Sequence, residues 1–148
     1  MSDSITPVHL EQLKDFQFEI SFGPGIPPVL GDEPQPIGEG KGPSPVQFLA
    51  AAVGNCLCDS LFFAIKKYKQ DPQPIRCTVN AKIGRNDQNR LRVTQMHCAL
   101  SIGVPAETLE HLDRVLSSFE AFCTVTQSVG QGIPITVEIF DSNQQKLK

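Results

Sequence analysis

The longest apolar segment of the chain runs from Pro45 to Ile65 and predicts a long helix. Ser44 suits the N-cap and Pro45 the first helical position, and Gln47, three residues after Ser44, completes a capping box. The segment carries one carboxylate, Asp59. A helix that is apolar all round is normally buried all round, so we expect a buried central helix. Polar interruptions and a length that barely spans a bilayer argue against a membrane segment.

The part of the chain before this helix contains one clear period-two pattern. Phe16, Phe18, Ile20 and Phe22 alternate with polar residues, which predicts a half-buried strand. Residues 1–14 are polar, and we expect a flexible arm or a frayed helix there. Residues 23–42 are rich in glycine and proline, which is typical of an irregular loop, with room for a short strand at residues 28–30.

Two further strands are predicted at residues 75–85 and 91–103, joined by a turn at residues 86–89. A turn centred between Asp87 and Gln88 would pair Cys77 with Cys98 and Val79 with Met96. Those pairs would lie on one apolar face. We therefore interpret Cys77 and Cys98 as small buried residues without a disulfide.

A second, amphipathic helix is predicted at residues 105–122, and a last strand at residues 134–140. The apolar positions of this helix recur three and four residues apart and form one stripe: Leu109, Leu112, Leu116, Phe119 and Cys123. The order of elements predicts an α+β fold with antiparallel sheets. At 148 residues, the chain is long enough for a single domain that spans residues 1–148.

Charge and composition narrow the function classes. The net charge of −3 and the pI of about 5.5 argue against a nucleic-acid partner, which would need a concentrated basic surface. The first thirty residues do not resemble a secretory leader, so we expect a cytoplasmic protein whose five cysteines are thiols. A metal site is not expected, because Cys56 and Cys58 lack the usual two-residue spacer and the histidines lack ligand spacing.

The cysteines of the long helix point in different directions. Cys56 and Cys58 are two residues apart, so on a helix they point about 160° away from each other. Only one of them can face a given partner. Cys123, at the end of the second helix's apolar stripe, could approach the long helix, which makes a Cys56–Cys123 pair one interpretation.

The segment Gly42-Pro43-Ser44-Pro45-Val46-Gln47-Phe48-Leu49-Ala50-Ala51-Ala52, followed by Gly54-Asn55-Cys56-Leu57, resembles the signature of the OsmC/Ohr family. This family comprises osmotically induced and organic-hydroperoxide-resistance proteins. Its second cysteine follows a later helix, where Cys123 stands. The resemblance extends loosely from Phe16 to Phe140.

The resemblance implies both a fold and a chemistry. The family fold is an intertwined homodimer, with long central helices and active sites between the subunits. The implied activity is reduction of organic hydroperoxides: Cys56 attacks the peroxide and becomes a sulfenic acid, and Cys123 condenses with it to a disulfide. A thiol or dithiol reductant would restore the pair, and no cofactor or metal is implied.

Two features depart from the peroxidase branch of that family. The branch has an arginine in the first strand region and a glutamate early in the long helix. Here the first seventy-five residues contain no arginine, and Val46 and Gln47 occupy the early helix. Without a nearby cation, Cys56 should react slowly, unless Lys14, Lys41 or an arginine of a partner subunit takes the place of the missing arginine.

The alternative function is a non-catalytic or weakly reactive protein that binds a small molecule. Asp59 either pairs with a neighbouring residue or tunes the site.

Overall fold

Residues 2–148 are described by a computed structural model, which contains three α-helices and two three-stranded sheets. The helices are α1 (Pro45–Lys66), α2 (Leu112–Ser118) and α3 (Thr124–Val129). The strands are β1 (His9–Lys14), β2 (Gln17–Ser21), β3 (Val29–Gly31), β4 (Arg76–Arg85), β5 (Leu91–Ser101) and β6 (Ile135–Phe140). The predicted α+β class is confirmed.

The chain forms two compact units, which divide between Phe48 and Leu49, inside α1. The first contains one sheet in the order β1–β2–β3, and the second contains the other in the order β4–β5–β6. The single domain expected from the sequence stays a prediction.

The first strand was not expected. Residues 9–14 pair with β2, so the prediction of an arm or frayed helix is wrong for them. The pairing shifts between Gln12 and Lys14. This bulge breaks the period of two that identifies a strand in a sequence, and it places Leu10 and Leu13 out of alternation.

One face of this sheet is apolar and open. The predicted strand of alternating aromatic residues is confirmed as β2, and the short strand at residues 28–30 as β3. Ile20 is buried, but Phe16, Phe18 and Phe22 remain 36–50% exposed. Together with Phe48 they line a cavity of about 440 Å³ in the first unit.

The long helix begins with the predicted capping box. Gln47 Oε1 accepts a hydrogen bond from the Ser44 amide at 2.9 Å, and Ser44 Oγ accepts one from the Gln47 amide at 3.3 Å. This reciprocal pair fixes the first turn, because it satisfies amides that have no partner within the helix.

The prediction that α1 is buried on every face is wrong for the single chain, which covers only one face of the helix. Its buried residues form one stripe: Val53, Gly54, Leu57, Leu61 and Ile65. Phe63, on another face, is 74% exposed. By length and composition alone, α1 could cross a membrane. Of its most apolar 18-residue stretch, 28% is buried in this chain. The apolar composition therefore exceeds what a single chain covers.

The predicted hairpin is confirmed as β4 and β5, but its register is wrong. Cys77 lies opposite Leu100, and Cys98 lies opposite Val79. The turn centres on Gln88, which moves the pairing by one residue. A shift between Lys82 and Ile83 moves it by one more. A slip of two residues keeps every side chain on its face, so the apolar face is the predicted one although the partners differ.

The last strand lies where it was predicted, but it pairs parallel with β5, against the antiparallel expectation. A parallel pair needs a crossover, and residues 102–134 provide it. The helix predicted at residues 105–122 forms only in part, as α2 flanked by 3₁₀ turns at Ala106–Thr108 and Phe119–Phe122. The short helix α3 follows beyond the predicted end and was not expected.

A buried carboxylate joins the crossover to the end of β6. Asp141 is fully buried, and its Oδ2 accepts a hydrogen bond from the Ala106 amide at 3.0 Å. Its Oδ1 accepts from the amides of Asn143 and Gln145, each at 2.9 Å. The Ala106 amide, followed by those of Gln145 and Asn143, lowers the pKa of Asp141 despite its burial.

Candidate functional site

The second unit brings Cys56 and Cys123 together, with their sulfur atoms 2.7 Å apart. Both are free thiols. Cys56 lies in the middle of α1, and Cys123 lies at the junction between the 3₁₀ turn Phe119–Phe122 and α3. The backbone of Cys123 is extended, with φ −83° and ψ 94°. The backbone therefore leaves helical geometry at the cysteine that faces α1, directly after the end of the predicted helix.

The two thiols differ in exposure. Cys56 is half-buried and packs beside the core, whereas Cys123 is fully buried. Burial raises the pKa of Cys123, and the hydrogen bond that its thiol donates to Cys56 raises it further. The hydrogen bond with Thr126, whose Oγ1 is 3.0 Å from the Cys123 sulfur, and the Ser60 side chain lower the pKa of Cys123. Cys123 therefore keeps its proton more strongly than a free cysteine.

The other three cysteines also lie in the second unit. The thiol of Cys77 on β4, followed by burial, raises the pKa of Cys58 on α1. The Cys58 thiol in turn lowers the pKa of Cys77. Cys98, on the central strand β5, is fully buried, and burial raises its pKa to about 11. Sequence reasoning did not relate Cys58 to Cys77, because it considered Cys77 only opposite Cys98 on the neighbouring strand.

An apolar cavity of about 660 Å³ adjoins the same part of α1. Ser60, which acts to lower the pKa of Cys123, lies in its wall beside Phe63 and Phe122. Lys67 and Arg114 supply positive charge to the lining, and neither is ion-paired within residues 2–148. The sequence did not single out Arg114, because nothing local links α2 to the middle of α1.

Asp59 lines this cavity too, where it is exposed. Among the described residues it makes neither an ion pair nor a side-chain hydrogen bond. Its charge instead reaches Cys58, whose ionisation it opposes. The expectation that Asp59 tunes the Cys56 site stays a prediction, because the thiol that its charge affects is Cys58.

The lysines considered as substitutes for a missing arginine are engaged in the first unit. Lys14 and Lys41 both bind the carboxylate of Glu39, at 3.4 and 3.1 Å. Gln17 donates to the same carboxylate at 2.6 Å. Both lysines are thus tied to a surface carboxylate.

The histidines occupy structural positions. His97 Nε2 lies 3.0 Å from the carboxylate of Glu138 on the neighbouring strand, as expected for a hydrogen-bonded strand residue. His111 occupies the N-cap position of α2 in a left-handed conformation, with its ring centroid 4.7 Å from that of Tyr68.

Comparison with known proteins places the chain in a family. A model of the OsmC-like protein family matches residues 38–138. The chain belongs to the OsmC-like family. The matched range includes both Cys56 and Cys123, and the resemblance described from the sequence is thereby confirmed. A search of curated proteins found no significant match.

Solved structures share the OsmC-like fold at low sequence identity. An OsmC-like protein of Vibrio cholerae has a TM-score of 0.78 at 14% identity, over 93% of this chain and 100% of the other. A protein of Psychrobacter arcticus, described as a putative osmotic stress induced and detoxification response protein, has a TM-score of 0.77 at 17% identity, over 93% of this chain and 98% of the other. The organic hydroperoxide resistance protein of Bacillus subtilis has a TM-score of 0.68 at 11% identity, over 92% of this chain and 98% of the other. These similarities establish the fold of this OsmC-like protein.

Proposed function

We propose that this OsmC-like protein is a thiol-dependent peroxidase that reduces organic hydroperoxides through Cys56 and Cys123. The observation that carries the proposal is the 2.7 Å distance between the two sulfur atoms. A disulfide bond is about 2.05 Å long, so the sulfurs need to close by only about 0.7 Å. Relatives of the same fold described as organic hydroperoxide resistance proteins support this reaction class.

In the first step, the thiolate of Cys56 attacks the terminal oxygen of the hydroperoxide. The O–O bond breaks, Cys56 becomes a sulfenic acid, and the alkoxide leaves and takes a proton to become the alcohol. Cys56 is assigned this step because it is half-buried, whereas Cys123 is fully buried. Reagents therefore reach Cys56 first.

In the second step, Cys123 attacks the sulfur of the Cys56 sulfenic acid. The S–S bond forms and water leaves. The raised pKa of Cys123 keeps it a thiol until this step, and the hydrogen bond with Thr126 stabilises its thiolate during the attack. A thiol or dithiol reductant then returns both residues to thiols, with two electrons per cycle.

The cavity of about 660 Å³ suits the organic part of the substrate. Its wall contains Phe63, Phe119 and Phe122 and reaches Ser60, one helical turn from Cys56. Apolar side chains bind a hydrocarbon group by removing it from water. Organic hydroperoxides should therefore react faster than hydrogen peroxide.

The test is stopped-flow consumption of cumene hydroperoxide and hydrogen peroxide by the fully reduced protein. We expect one disulfide, Cys56–Cys123, within each chain, and faster reaction with cumene hydroperoxide. Cys56→Ser should abolish this disulfide, and Cys123→Ser should leave a sulfenic acid at Cys56 that dimedone traps. Cys98→Ser is the matched control, because Cys98 is fully buried outside the pair. Retention of two free thiols at Cys56 and Cys123 after exposure to peroxide would refute the proposal.

A second candidate function is reversible binding of a small apolar molecule. It is favoured by the two apolar cavities, of about 440 and 660 Å³, and by the lack of arginine in the first seventy-five residues. In this case the reduced protein would bind an apolar fluorescent probe without consuming peroxide. Binding that is unchanged in Cys56→Ser and Cys123→Ser, together with no turnover, would favour this function over the peroxidase.

The remaining expectations about context belong to the same proposal. We expect a cytoplasmic homodimer that acts in defence against oxidative stress, without a nucleic-acid or membrane partner. The excess apolar surface of α1 and of the first sheet supports the dimer.

A further inference from the structure

We propose that Lys148 is a positioning residue for the Cys56–Cys123 pair, because it holds the turn that carries Cys123 against the end of α2. The proposal rests on the proposed function, since it concerns how the same two thiols meet. Its test is separate, because thiol–disulfide exchange with glutathione can form the same bond without a peroxide.

The backbone of Lys148 is fastened to the second sheet. Its carbonyl accepts a hydrogen bond from the Ile139 amide at 3.1 Å, and its amide donates one to the Ile139 carbonyl at 3.3 Å. Lys146, two residues earlier, forms an antiparallel bridge with Phe140. Residues 146–148 therefore run back along β6, which fixes the point from which the Lys148 side chain extends.

The ammonium group of Lys148 makes three contacts at one junction of the chain. It donates a hydrogen bond to the Leu116 carbonyl at 2.9 Å and another to the carboxylate of Glu120. It also lies 5.5 Å from the centroid of the Phe119 ring, within the range of a cation–π interaction. Leu116 lies in the last turn of α2, and Phe119 and Glu120 begin the 3₁₀ turn that follows. One side chain thus binds both sides of the junction between the α-helix and the turn.

The combination of these contacts makes Lys148 more than half of a surface ion pair. An ion pair between two exposed side chains stabilises a protein little, because water screens it and both side chains lose freedom. Here the side chains of Lys148 and Glu120 are only 36% and 29% exposed. The same ammonium also binds a carbonyl at the negative end of the α2 dipole, where a lysine is favourable.

Glu120 connects Lys148 to Cys123. Its carboxylate binds Lys148, and its backbone carbonyl accepts a hydrogen bond from the Cys123 amide at 3.0 Å. Cys123 directly follows the 3₁₀ turn, and its sulfur lies 2.7 Å from that of Cys56. Cys56 is held by α1, which is one unbroken helix. The orientation of the turn therefore decides how well Cys123 is presented to Cys56.

This positioning affects the second chemical step and leaves the first unchanged. Attack of Cys56 on the hydroperoxide does not involve Cys123. Condensation of Cys123 with the Cys56 sulfenic acid depends on the effective concentration at which the turn presents the second thiol to the first. The same effective concentration sets the equilibrium with glutathione. In that exchange the pair becomes a disulfide, and oxidised glutathione takes up its two electrons and two protons to become two molecules of reduced glutathione.

The first experiment measures this equilibrium in the full chain. Wild type and Lys148→Met are equilibrated in glutathione buffers, alkylated and mapped by mass spectrometry for the Cys56–Cys123 disulfide. A misplacement of about 1 Å can slow a positioned reaction about a hundredfold, so loss of one restraint should lower the equilibrium constant for disulfide formation by about tenfold. This change raises the reduction potential of the pair by about 30 mV. Lys148→Arg keeps the charge and the donors and should retain the wild-type value.

The matched control is Lys146→Met, which removes one lysine from the same segment. Lys146 binds Glu138 on β6 at 2.9 Å and not the turn, so this variant should leave the equilibrium unchanged. Glu120→Ala removes the other partner of the contact and should lower the equilibrium constant as Lys148→Met does. The two substitutions combined should have less than the sum of their separate effects, as expected for residues in contact.

The second experiment separates the two chemical steps. After one equivalent of cumene hydroperoxide, rapid quench with dimedone follows the sulfenic acid at Cys56. Lys148→Met should leave the rate of its formation unchanged and lengthen its lifetime about tenfold. A general loss of stability would not produce this division, and circular dichroism at the assay temperature verifies that each variant is folded.

The proposal is overturned if Lys148→Met has the wild-type equilibrium constant, or if Lys146→Met changes the constant equally. It is also overturned if oxidised glutathione forms no Cys56–Cys123 disulfide in the wild type. A disulfide that forms with glutathione but not with hydroperoxide would refute the peroxidase, while the variants at position 148 would still decide the positioning role.

Discussion

Gly54 of α1 and Val79 of β4 lie in such close contact that no side chain fits between them. A Cβ atom at position 54 would stand 2.8 Å from Val79 Cγ2, closer than real carbon atoms approach. The sheet therefore packs directly on the helix backbone, one turn before Cys58.

Gly54→Ala should destabilise the protein by about 1–2 kcal/mol. Alanine would ordinarily stabilise a helix interior by about 0.5–1 kcal/mol relative to glycine, but overpacking of a core costs about 1–3 kcal/mol. Urea unfolding at fixed protein concentration measures the difference. In the Val79→Ala background the same substitution should become neutral or stabilising. A stabilising effect in the wild-type background would show that the strand can retreat.

Thr126→Val should slow the formation of the Cys56–Cys123 disulfide without slowing oxidation of Cys56. Valine cannot hydrogen-bond with the Cys123 sulfur, so the raised pKa of Cys123 would rise further. A rise of one unit in the pKa of Cys123 would reduce the fraction of Cys123 present as thiolate at neutral pH about tenfold. Rapid quench with dimedone separates the two steps. Thr124→Val is the matched control, since Thr124 is exposed, and equal effects of both substitutions would contradict the assigned role.

Asp141→Asn should destabilise the protein at neutral pH and flatten the acid side of its stability profile. The folded pKa of Asp141 is lowered below its ordinary value of 3.8. Its contribution is therefore complete above pH 3.8 and is lost as the pH falls through the lower, folded pKa. The difference in unfolding free energy between wild type and variant should shrink between pH 5 and the most acidic pH at which both fold. A constant difference would show that the carboxylate's charge contributes nothing.

Two copies of the chain should associate through the apolar face of the first sheet. Light scattering at micromolar concentration should give twice the 16.2 kDa mass of one chain. Phe18→Ser, on the apolar face, should weaken association, because it removes apolar surface that a partner would cover. Glu19→Ser, on the opposite face of the same strand, is the control. A monomeric wild type would contradict the expectation.

The features that could be predicted from the sequence are set by local interactions. The capping box of Ser44 and Gln47 and the bounds of α1 depend on neighbouring residues, and both were predicted. The register of β4 and β5 was wrong because it depends on a five-residue turn and a bulge, each of which moves the pairing by one residue. Composition likewise identifies α1 as apolar, but it does not show whether the same chain or a second copy covers each face of the helix.

The candidate site was predicted only in part, because some of its residues are related by local sequence patterns and others only by the packing of separate elements. Cys56 and Cys123 were brought together by helix periodicity and by the family resemblance. Thr126 was missed because the predicted helix ended at Phe122 and the short helix α3 was not predicted. Cys77 was paired with Cys98, whereas it lies opposite Leu100, because the turn and the bulge shift the register.

The parallel pairing of β6 with β5 determines when the Cys56–Cys123 pair can exist during folding. These cysteines are 67 residues apart, and Cys123 lies inside the crossover that ends at β6. Contacts of such long sequence separation form late, because loop closure costs entropy before it is rewarded. The hairpin of β4 and β5 closes earlier, through a five-residue turn. An unfinished chain on the ribosome therefore carries Cys56 without Cys123 beside it, and the two thiols come together only when the last strand docks.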